Sequence, residues 1–266
     1  EAPEPSGAIR LQLPTRPGRT FEMRLHRTDS DQRLLISHDI TDQAKLDAMR
    51  SDFVANVSHE IRTPVTVIAG FAETLLTLDL DEASRREYLG NILRQSHTMQ
   101  RLVDDLLMLS SLESGTHEFD EDQVDVHQLL SRLLAEARTL SGGRHQIELA
   151  LDGPQRVMAV PSELESAVRN LLTNAIRYTP EGGRIDIEWR VKDQEGWIAV
   201  RDTGIGIPVE SLPRLTERFY RVDRGRSRAS GGTGLGLAIV KRIMNRHGGQ
   251  LHIESEFGHG STFSLR

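Results

Sequence analysis

The sequence predicts an α+β protein in which a helical hairpin precedes an α/β sandwich. Apolar residues recur at spacings of three and four from about Thr41 to Leu78, and again from Leu89 to Leu109. This is the pattern of helices with one buried face. After about Phe119, short alternating runs typical of strands are interspersed with shorter helical runs. Helices followed by paired strands favour an α+β arrangement over a doubly wound parallel sheet.

The two long helices predict a homodimer. Asp79-Leu80-Asp81 breaks the first helix, and the second should end near Ser114-Gly115. A connection this short makes an antiparallel hairpin. One hairpin cannot cover the apolar stripes of both helices, whereas two copies paired in a four-helix bundle can. The stripes comprise Leu46, Met49, Phe53, Val57, Ile61, Pro64 or Val65, and Ile68 in the first helix, and Leu89, Ile92, Leu93, Met99, Leu102, Val103, Leu106 and Leu109 in the second.

The segment before the hairpin is interpreted as the remainder of another domain. Residues 1–19 are rich in Pro, Gly and Arg and are predicted to form a loop. Alternation in Phe21–Leu25 and in part of Arg33–Ser37, on either side of polar residues 28–31, is typical of a β-hairpin. Two strands alone are only marginally stable. We therefore expect three domains, at residues 1–40, 41–115 and 119–266.

The last domain should alternate between helices and strands. A long loop rich in Gly, Pro and Arg, with one helical turn, is expected between residues 204 and 230. The patterns predict helices at 126–139, 162–178 and 235–247, and strands at 146–151, 156–160, 184–191, 197–202, 250–254 and 262–265.

Composition excludes several classes of function. The formal net charge of −6 argues against a nucleic-acid-binding protein. The lack of cysteine excludes disulfides and thiolate metal sites. No apolar run approaches the roughly 20 residues that a membrane helix needs. The chain begins without methionine or a signal-like segment, so we expect a fragment whose membrane spans, if the full protein has any, lie upstream of Glu1.

The first long helix carries a histidine suited to nucleophilic attack. His59 is two residues from both Val57 and Ile61, about 200° round the helix, and should therefore point to solvent. A neutral imidazole nitrogen can attack phosphorus, and the adjacent Glu60 can take the proton left on the other ring nitrogen. Thr63 lies four residues further on, on the same face. A lone exposed histidine is usually only a solvated side chain, so this pattern does not decide the function by itself.

One face of the helix predicted at 162–178 carries groups that suit a nucleotide. Asn170, Asn174, Arg177 and Tyr178 share this face. Amide oxygens suit a Mg²⁺ ion that carries phosphates, while the arginine suits phosphate and the tyrosine ring suits a base. The alternative interpretation is an ordinary half-polar surface helix.

Two glycine-bearing segments could complete a nucleotide site. Asp202 ends a strand, where its carboxylate can accept a hydrogen bond from an adenine amine, and Gly204 and Gly206 let the backbone approach a ligand. A second run leads into a helix whose N-terminal N–H groups attract phosphate, although each segment alone is also compatible with a plain turn. This second run contains Gly232, Gly234, Leu235 and Gly236. Phe219 lies in the basic loop that joins these two segments. The loop is interpreted either as a lid over a nucleotide or as a solvated loop that binds nothing.

In this order, the segments resemble the motifs of the sensor histidine kinases over roughly residues 41–266. The resemblance implies a dimerisation and phosphotransfer hairpin, followed by an ATP-binding α/β sandwich of the gyrase, Hsp90 and histidine-kinase type. The matching segments are Ser58–Pro64 (phosphoacceptor box), Asn170–Tyr178 (asparagine box), Asp202–Gly206 (first glycine box), Phe219-Tyr220 (phenylalanine box), Gly232–Gly236 (second glycine box) and Gly258–Thr262 (a final glycine turn).

The resemblance also implies a role for individual residues. His59 would be the phosphoacceptor, Glu60 its acid/base partner, and Thr63 the residue that orients a water for dephosphorylating the partner. Asn174 would bind Mg²⁺, Asn170 would lie beside the phosphates of ATP, and Asp202 would recognise adenine. The implied partners are a second copy of the chain and the receiver domain of a response regulator.

Finer similarities place the chain near one subgroup. Pro213–Asp223 resembles the phosphate-regulon sensor kinases, and Asp39-Ile40-Thr41 resembles the end of a PAS domain. This implies the cytoplasmic part of a bacterial inner-membrane protein, with phosphate-starvation signalling and phosphatase activity. Two alternatives remain open. A gyrase- or Hsp90-like ATPase would need a carboxylate where Asn170 stands, and a non-catalytic dimeric scaffold would have an inactive nucleotide site.

Overall fold

The computed structural model describes residues 8–12, 17–27, 33–114, 119–192, 195–222 and 232–266. The chain divides into two compact units, residues 1–62 and 63–266. The boundary falls inside one long helix, so each unit is described separately.

The first unit begins with a three-stranded antiparallel sheet of order β1-β2-β3. The strands are β1 (Ile9–Gln12), β2 (Thr20–Arg27) and β3 (Arg33–Asp39). The predicted hairpin of β2 and β3 is confirmed, although its turn at 28–31 lies outside the described residues. The prediction of a loop over residues 1–19 is wrong at Ile9–Gln12. These four residues pair along β2, and a strand this short has too few alternations to stand out from its Pro- and Gly-rich surroundings.

Two long helices follow, as predicted. Helix α1 (Thr41–Thr77) runs without interruption through Pro64, and α2 (Glu82–Ser114) begins beyond Asp81. The carboxylate of Asp81 accepts a hydrogen bond of 2.7 Å from the backbone nitrogen of Ser84, which caps the start of α2. Near the connection, the rings of Phe71 and Tyr88 stack with centroids 5.2 Å apart. The predicted helical hairpin is thus confirmed.

The remainder of the second unit is a mixed sheet with helices packed on it. The sheet has the order β5-β7-β8-β10-β9 and is antiparallel except for the β5–β7 pair, while β4 and β6 form a separate two-stranded sheet. The elements are β4 (Asp122–Asp125), α3 (Val126–Ser141), β5 (Gln146–Asp152), β6 (Arg156–Ala159), α4 (Pro161–Tyr178), β7 (Arg184–Lys192), β8 (Glu195–Asp202), a 3₁₀ helix (Val209–Arg214), α5 (Gly236–Arg246), β9 (Leu251–Glu256) and β10 (Gly260–Leu265).

A single apolar layer joins these helices to the sheet. Helix α4 packs between α3 and α5, and α3, α4 and α5 also contact strands of the main sheet. The fully buried side chains include Leu130, Leu133, Val168, Leu171, Ile239 and Ile243 from the helices, and Ile185, Ile187 and Val200 from the sheet. Because the helical residues recur at spacings of three and four, and the strand residues at two, the periodicity in the sequence predicts this α/β sandwich correctly.

Candidate functional site

The helix that carries His59 presents it to solvent. His59 is exposed, whereas Val57 and Ile61 on the opposite side are half-buried, so the predicted orientation of the imidazole is confirmed. Glu60 is half-buried and Thr63 is exposed. The roles assigned to these side chains remain predictions.

Helix α4 separates an apolar face from a polar face. Leu171 and Ala175 are buried, while Asn170, Asn174 and Arg177 are half-buried. The Nδ2 of Asn170 donates a 2.9 Å hydrogen bond to the backbone oxygen of Ser166, which leaves the amide oxygen of Asn170 directed away from its own helix. Tyr178, at the end of α4, is exposed. Neutral amide oxygens on one polar face suit a hard cation such as Mg²⁺.

Asp202 is a buried carboxylate at the end of the central strand β8. It is only 5% exposed, and its Oδ1 accepts a 2.8 Å hydrogen bond from the backbone nitrogen of Gly204. Burial raises the pKa of Asp202, while hydrogen bonds from the backbone of Gly204 and Ser261 oppose the shift. The following residues lie against α4, because the backbone nitrogen of Ile205 donates to the backbone oxygen of Tyr178 at 3.2 Å.

The glycine segment, Gly232–Gly236, lies over the polar face of α4. A Cβ atom on Gly236 would stand 2.5 Å from Oδ1 of Asn170, and one on Gly232 would stand 2.5 Å from Nη1 of Arg177. The absence of side chains at these two glycines allows this close approach, so the segment and the two side chains form one cradle. The structure thereby brings together the end of β8, the face of α4 and the N-terminus of α5.

Phe219 lies at the other side of the glycine segment. Its backbone nitrogen donates a 2.9 Å hydrogen bond to the backbone oxygen of Gly234. Phe219 has a positive φ of 62°, unusual for a residue with a side chain, and Gly234 opposite it has a φ of 72°. Arg224, Arg226 and Arg228, which help to make the sequence of this predicted lid basic, lie outside the described residues.

Comparison with known proteins identifies the family. Residues 49–115 match the His Kinase A (phospho-acceptor) domain, and residues 159–266 match the histidine kinase-, DNA gyrase B- and HSP90-like ATPase family. The phosphate regulon sensor protein PhoR of Pseudomonas aeruginosa is 43% identical over 259 residues, which make up 96% of this chain. The chain belongs to the sensor histidine kinases. It spans 58% of the length of that relative.

Solved structures of histidine kinases have the same fold. The Acinetobacter baumannii histidine kinase AdeS superposes with a TM-score of 0.61 at 26% identity, over 78% of this chain and 95% of that chain. The histidine kinase ThkA, solved in complex with the response regulator protein TrrA, gives a TM-score of 0.64 over 97% of this chain and 78% of that one. Its identity of 21% supports the fold alone.

The cradle also includes a residue of α2 to which no sequence motif points. Thr233 of the glycine segment donates a hydrogen bond to Asp105 of α2 across 128 residues of sequence, and Arg221 of the predicted lid lies near Gly232. Asp105 is three residues from Leu102 and four from Leu109, two buried leucines of the same stripe. A carboxylate inside an apolar stripe is the one signal that could have drawn attention to it.

The described part of the chain holds neither a cluster of metal-binding side chains nor a membrane-spanning helix. In those residues, no three or more His, Asp or Glu side chains cluster as a metal site would require. None of the described helices is long and apolar enough to cross a membrane. An amide oxygen such as that of Asn174 suits Mg²⁺ when phosphate oxygens complete the coordination of the ion.

Proposed function

We propose that this chain is the catalytic part of an ATP-dependent protein-histidine kinase that phosphorylates His59. It passes the phosphoryl group to an aspartate of a response regulator. In domain terms, we assign residues 41–115 to dimerisation and phosphotransfer, residues 119–266 to ATP binding, and residues 1–40 to the end of a PAS-like sensor domain.

The cradle around the glycine segment carries this proposal. A buried carboxylate at the end of β8, two asparagines and an arginine on α4, and glycines at the start of α5 are brought together, and each of these groups can bind a part of ATP. Asp202 accepts a hydrogen bond from the exocyclic amine of adenine. The backbone N–H groups at the start of α5 and the guanidinium of Arg177 bind phosphate oxygens. Tyr178 and Phe219 supply aromatic surface beside the base.

The chemical step is a phosphoryl transfer from ATP to an imidazole nitrogen. A neutral ring nitrogen of His59 forms the new N–P bond, the bond between the γ-phosphorus and the bridging oxygen breaks, and ADP leaves with that electron pair. The proton on the other ring nitrogen is taken up by Glu60, the adjacent carboxylate. Transfer needs the γ-phosphorus within about 3–3.5 Å of the attacking nitrogen. Mg²⁺ held by Asn174 would neutralise charge on the phosphates.

The apolar surface of the hairpin supports a homodimer. Leu46, Met49, Leu89 and Leu93 are all more than half exposed in the single chain, although they lie at helical spacings that predict a buried stripe. A second copy that forms a four-helix bundle would cover them. We further propose that Thr63 orients the water that removes phosphate from the response regulator.

The biological setting follows from the relatives. The similarity to a phosphate regulon sensor protein supports a role in phosphate-starvation signalling, and the match to the phospho-acceptor domain family supports a response regulator as the partner. We place the chain on the cytoplasmic side of a bacterial inner membrane, attached through segments outside this sequence.

Labelling with γ-³²P ATP tests the assignment of the phosphoacceptor. The wild-type protein should retain acid-labile, alkali-stable label, and His59→Gln should abolish it. His97→Gln, at another exposed histidine of the hairpin, is the matched control and should label normally. Label that persists in His59→Gln would disprove the assignment. Steady ATP hydrolysis without label on the protein would favour the gyrase-like ATPase, and no ATP binding would favour the scaffold.

A further inference from the structure

The glycine segment is hydrogen-bonded to a side chain that the proposed reaction does not use. The hydroxyl of Thr233 donates a 2.7 Å hydrogen bond to Oδ2 of Asp105 on α2. The same hydroxyl oxygen accepts from the backbone nitrogen of Leu235 at 3.3 Å. A threonine hydroxyl has a single proton to donate. While Thr233 is bound to Asp105, it cannot donate to a phosphate oxygen.

The carboxylate of Asp105 also lies within a group of arginines. It interacts electrostatically with Arg101 and Arg177, and Arg177 in turn interacts with Arg101 and Arg221. Burial raises the pKa of Asp105 and lowers the pKa of Arg177, so both charges are partly removed from water. Asp105 therefore places a negative charge near the partly buried guanidinium of Arg177, to which a phosphate group of a nucleotide could also bind.

Packing holds Asp105 in this position. Helix α2 packs against α5, and Leu102, Leu109 and Leu112, on the same side of α2 as Asp105, are each 3% exposed. Near the end of α2, the Nε of Arg242 on α5 donates a 3.2 Å hydrogen bond to the backbone oxygen of Leu112. The contact between Asp105 and Thr233 is therefore part of a continuous interface along α2.

We propose that Asp105 is an intramolecular competitor of the nucleotide triphosphate for the glycine segment. This inference rests on the proposed function, because it takes Gly232–Gly236 as the phosphate-binding segment. A bound triphosphate would bring its own negative charges towards Arg177 and Thr233, where Asp105 already supplies one. Binding must then break the Asp105–Thr233 hydrogen bond or bear the repulsion between like charges. Because such coupling is reciprocal, bound ATP weakens the interaction of α2 with the glycine segment by the same factor by which this interaction weakens ATP binding.

Isothermal titration of the purified chain with ATP and with adenosine tests this proposal. Asp105→Asn removes the negative charge with little change of shape, so the dissociation constant for ATP should fall by about fivefold or more. Adenosine has no phosphates, so its affinity should stay unchanged. Asp104→Asn is the matched control, because it removes the same charge from the neighbouring exposed position and should change neither affinity.

A second pair of variants tests the contact with Thr233. In a Thr233→Val background, the effect of Asp105→Asn on ATP affinity should shrink, because the hydrogen-bonded partner is gone. Thermal unfolding of each variant establishes that it is folded. An ATP affinity in Asp105→Asn that equals or falls below that of the wild type overturns the inference, as does an equal gain for adenosine. Wild-type protein that labels His59 normally would leave the proposed function intact in either case, whereas failure of the wild type to bind ATP would overturn both.

Discussion

Replacing Asp202 by asparagine should weaken ATP binding without weakening the fold. Asp202 is almost completely buried, and its Oδ1 already accepts a hydrogen bond from the backbone nitrogen of Gly204. Asparagine has nearly the same shape, and its single acceptor oxygen can keep the bond from Gly204, although its amide nitrogen cannot accept from the backbone of Ser261. It loses the charge and the second carboxylate oxygen, which are the features expected to bind adenine.

The effect on stability follows from the pKa of Asp202. Burial raises it above the ordinary value of 3.8. A carboxyl group with a raised pKa in the folded state stabilises the fold below its unfolded pKa, and this contribution is lost as the pH rises through the folded pKa. At pH 7 the ionised group therefore opposes folding. Asp202→Asn removes this buried charge, which offsets the weakened hydrogen bonding to the backbone of Ser261, so the free energy of unfolding at pH 7 should change little.

The effect on affinity is in the opposite direction. A hydrogen bond to a charged group contributes about 1.5–3 kcal/mol, so the dissociation constant for ATP should rise by about 10- to 150-fold. Inosine triphosphate carries an oxygen where ATP carries the amine, and the asparagine amide can donate to that oxygen. The preference for ATP over inosine triphosphate should consequently narrow in Asp202→Asn.

Calorimetric titration with both nucleotides, together with urea unfolding at pH 7, measures these quantities. Asp152→Asn is the control, because Asp152 also ends a strand but is exposed. An unchanged ATP affinity would refute the role of Asp202 in binding adenine. A loss of affinity matched by an equal loss of stability would show that the side chain acts on the fold, and not on the nucleotide.

Three further predictions concern the cradle, the sandwich and the dimer. Gly234→Ala should weaken ATP binding by about 5- to 30-fold in calorimetric titration. A positive φ costs an alanine about 1–2 kcal/mol, and the Cβ of the alanine would stand 2.9 Å from Cα of Phe219. An ATP affinity equal to that of the wild type would contradict this prediction. Several contacts, the hydrogen bonds from Arg132 foremost, lower the pKa of Glu165 to about 2. The ionised side chain therefore contributes fully to the stability of the fold above the unfolded pKa of 4.5. This contribution is lost as the pH falls towards 2. Glu165→Gln should therefore cost about 1 kcal/mol in urea unfolding at pH 7, a discounted value for a partly exposed pair, and no difference from wild type across this pH range would exclude the interaction. Leu93→Glu should raise the dimer dissociation constant at least about a hundredfold in sedimentation equilibrium. Leu93 is 57% exposed in one chain, and each leucine that a dimer buries contributes about 1.5–3 kcal/mol. A dissociation constant equal to that of the wild type would place the interface elsewhere.

Local periodicity is the reason that the sequence predicts most of the fold. Helix α3 illustrates this: Leu129, Leu130 and Leu133 mark its buried face, and the helix ends two residues beyond the predicted Thr139. Gly142, in the left-handed conformation with a φ of 59°, terminates it. Strand β4 was missed because Asp-Gln-Val-Asp has one apolar residue. Its pairing with β6 depends on contacts that no local pattern records.

The candidate site likewise has one part that local sequence patterns predict and one part that depends on contacts between distant residues. Glycines and polar residues at fixed spacings, such as those around Asp202 and Gly234, mark the cradle in the sequence itself. No such pattern marks the contribution of α2 to the site, because Asp105 and Thr233 are 128 residues apart in the sequence. A charged residue on a helix is most often solvated, and only the packing of α2 against α5 shows that Asp105 contacts the glycine segment.

This packing gives the end of α2 two competing uses. The sequence assigns Leu102 and Leu109 to the dimer stripe, yet both are buried within the single chain, as is Leu112. Helix α5 packs against α2, so in the proposed homodimer these turns of α2 would enter the bundle core fully only if α5 moved off them. Exposing three leucines costs about 1.5–3 kcal/mol each, more than the loss of one hydrogen bond to Asp105. In the proposed dimer, the hairpin of the second copy would supply the apolar surface that replaces α5 on these leucines, and this would offset the cost of freeing the glycine segment.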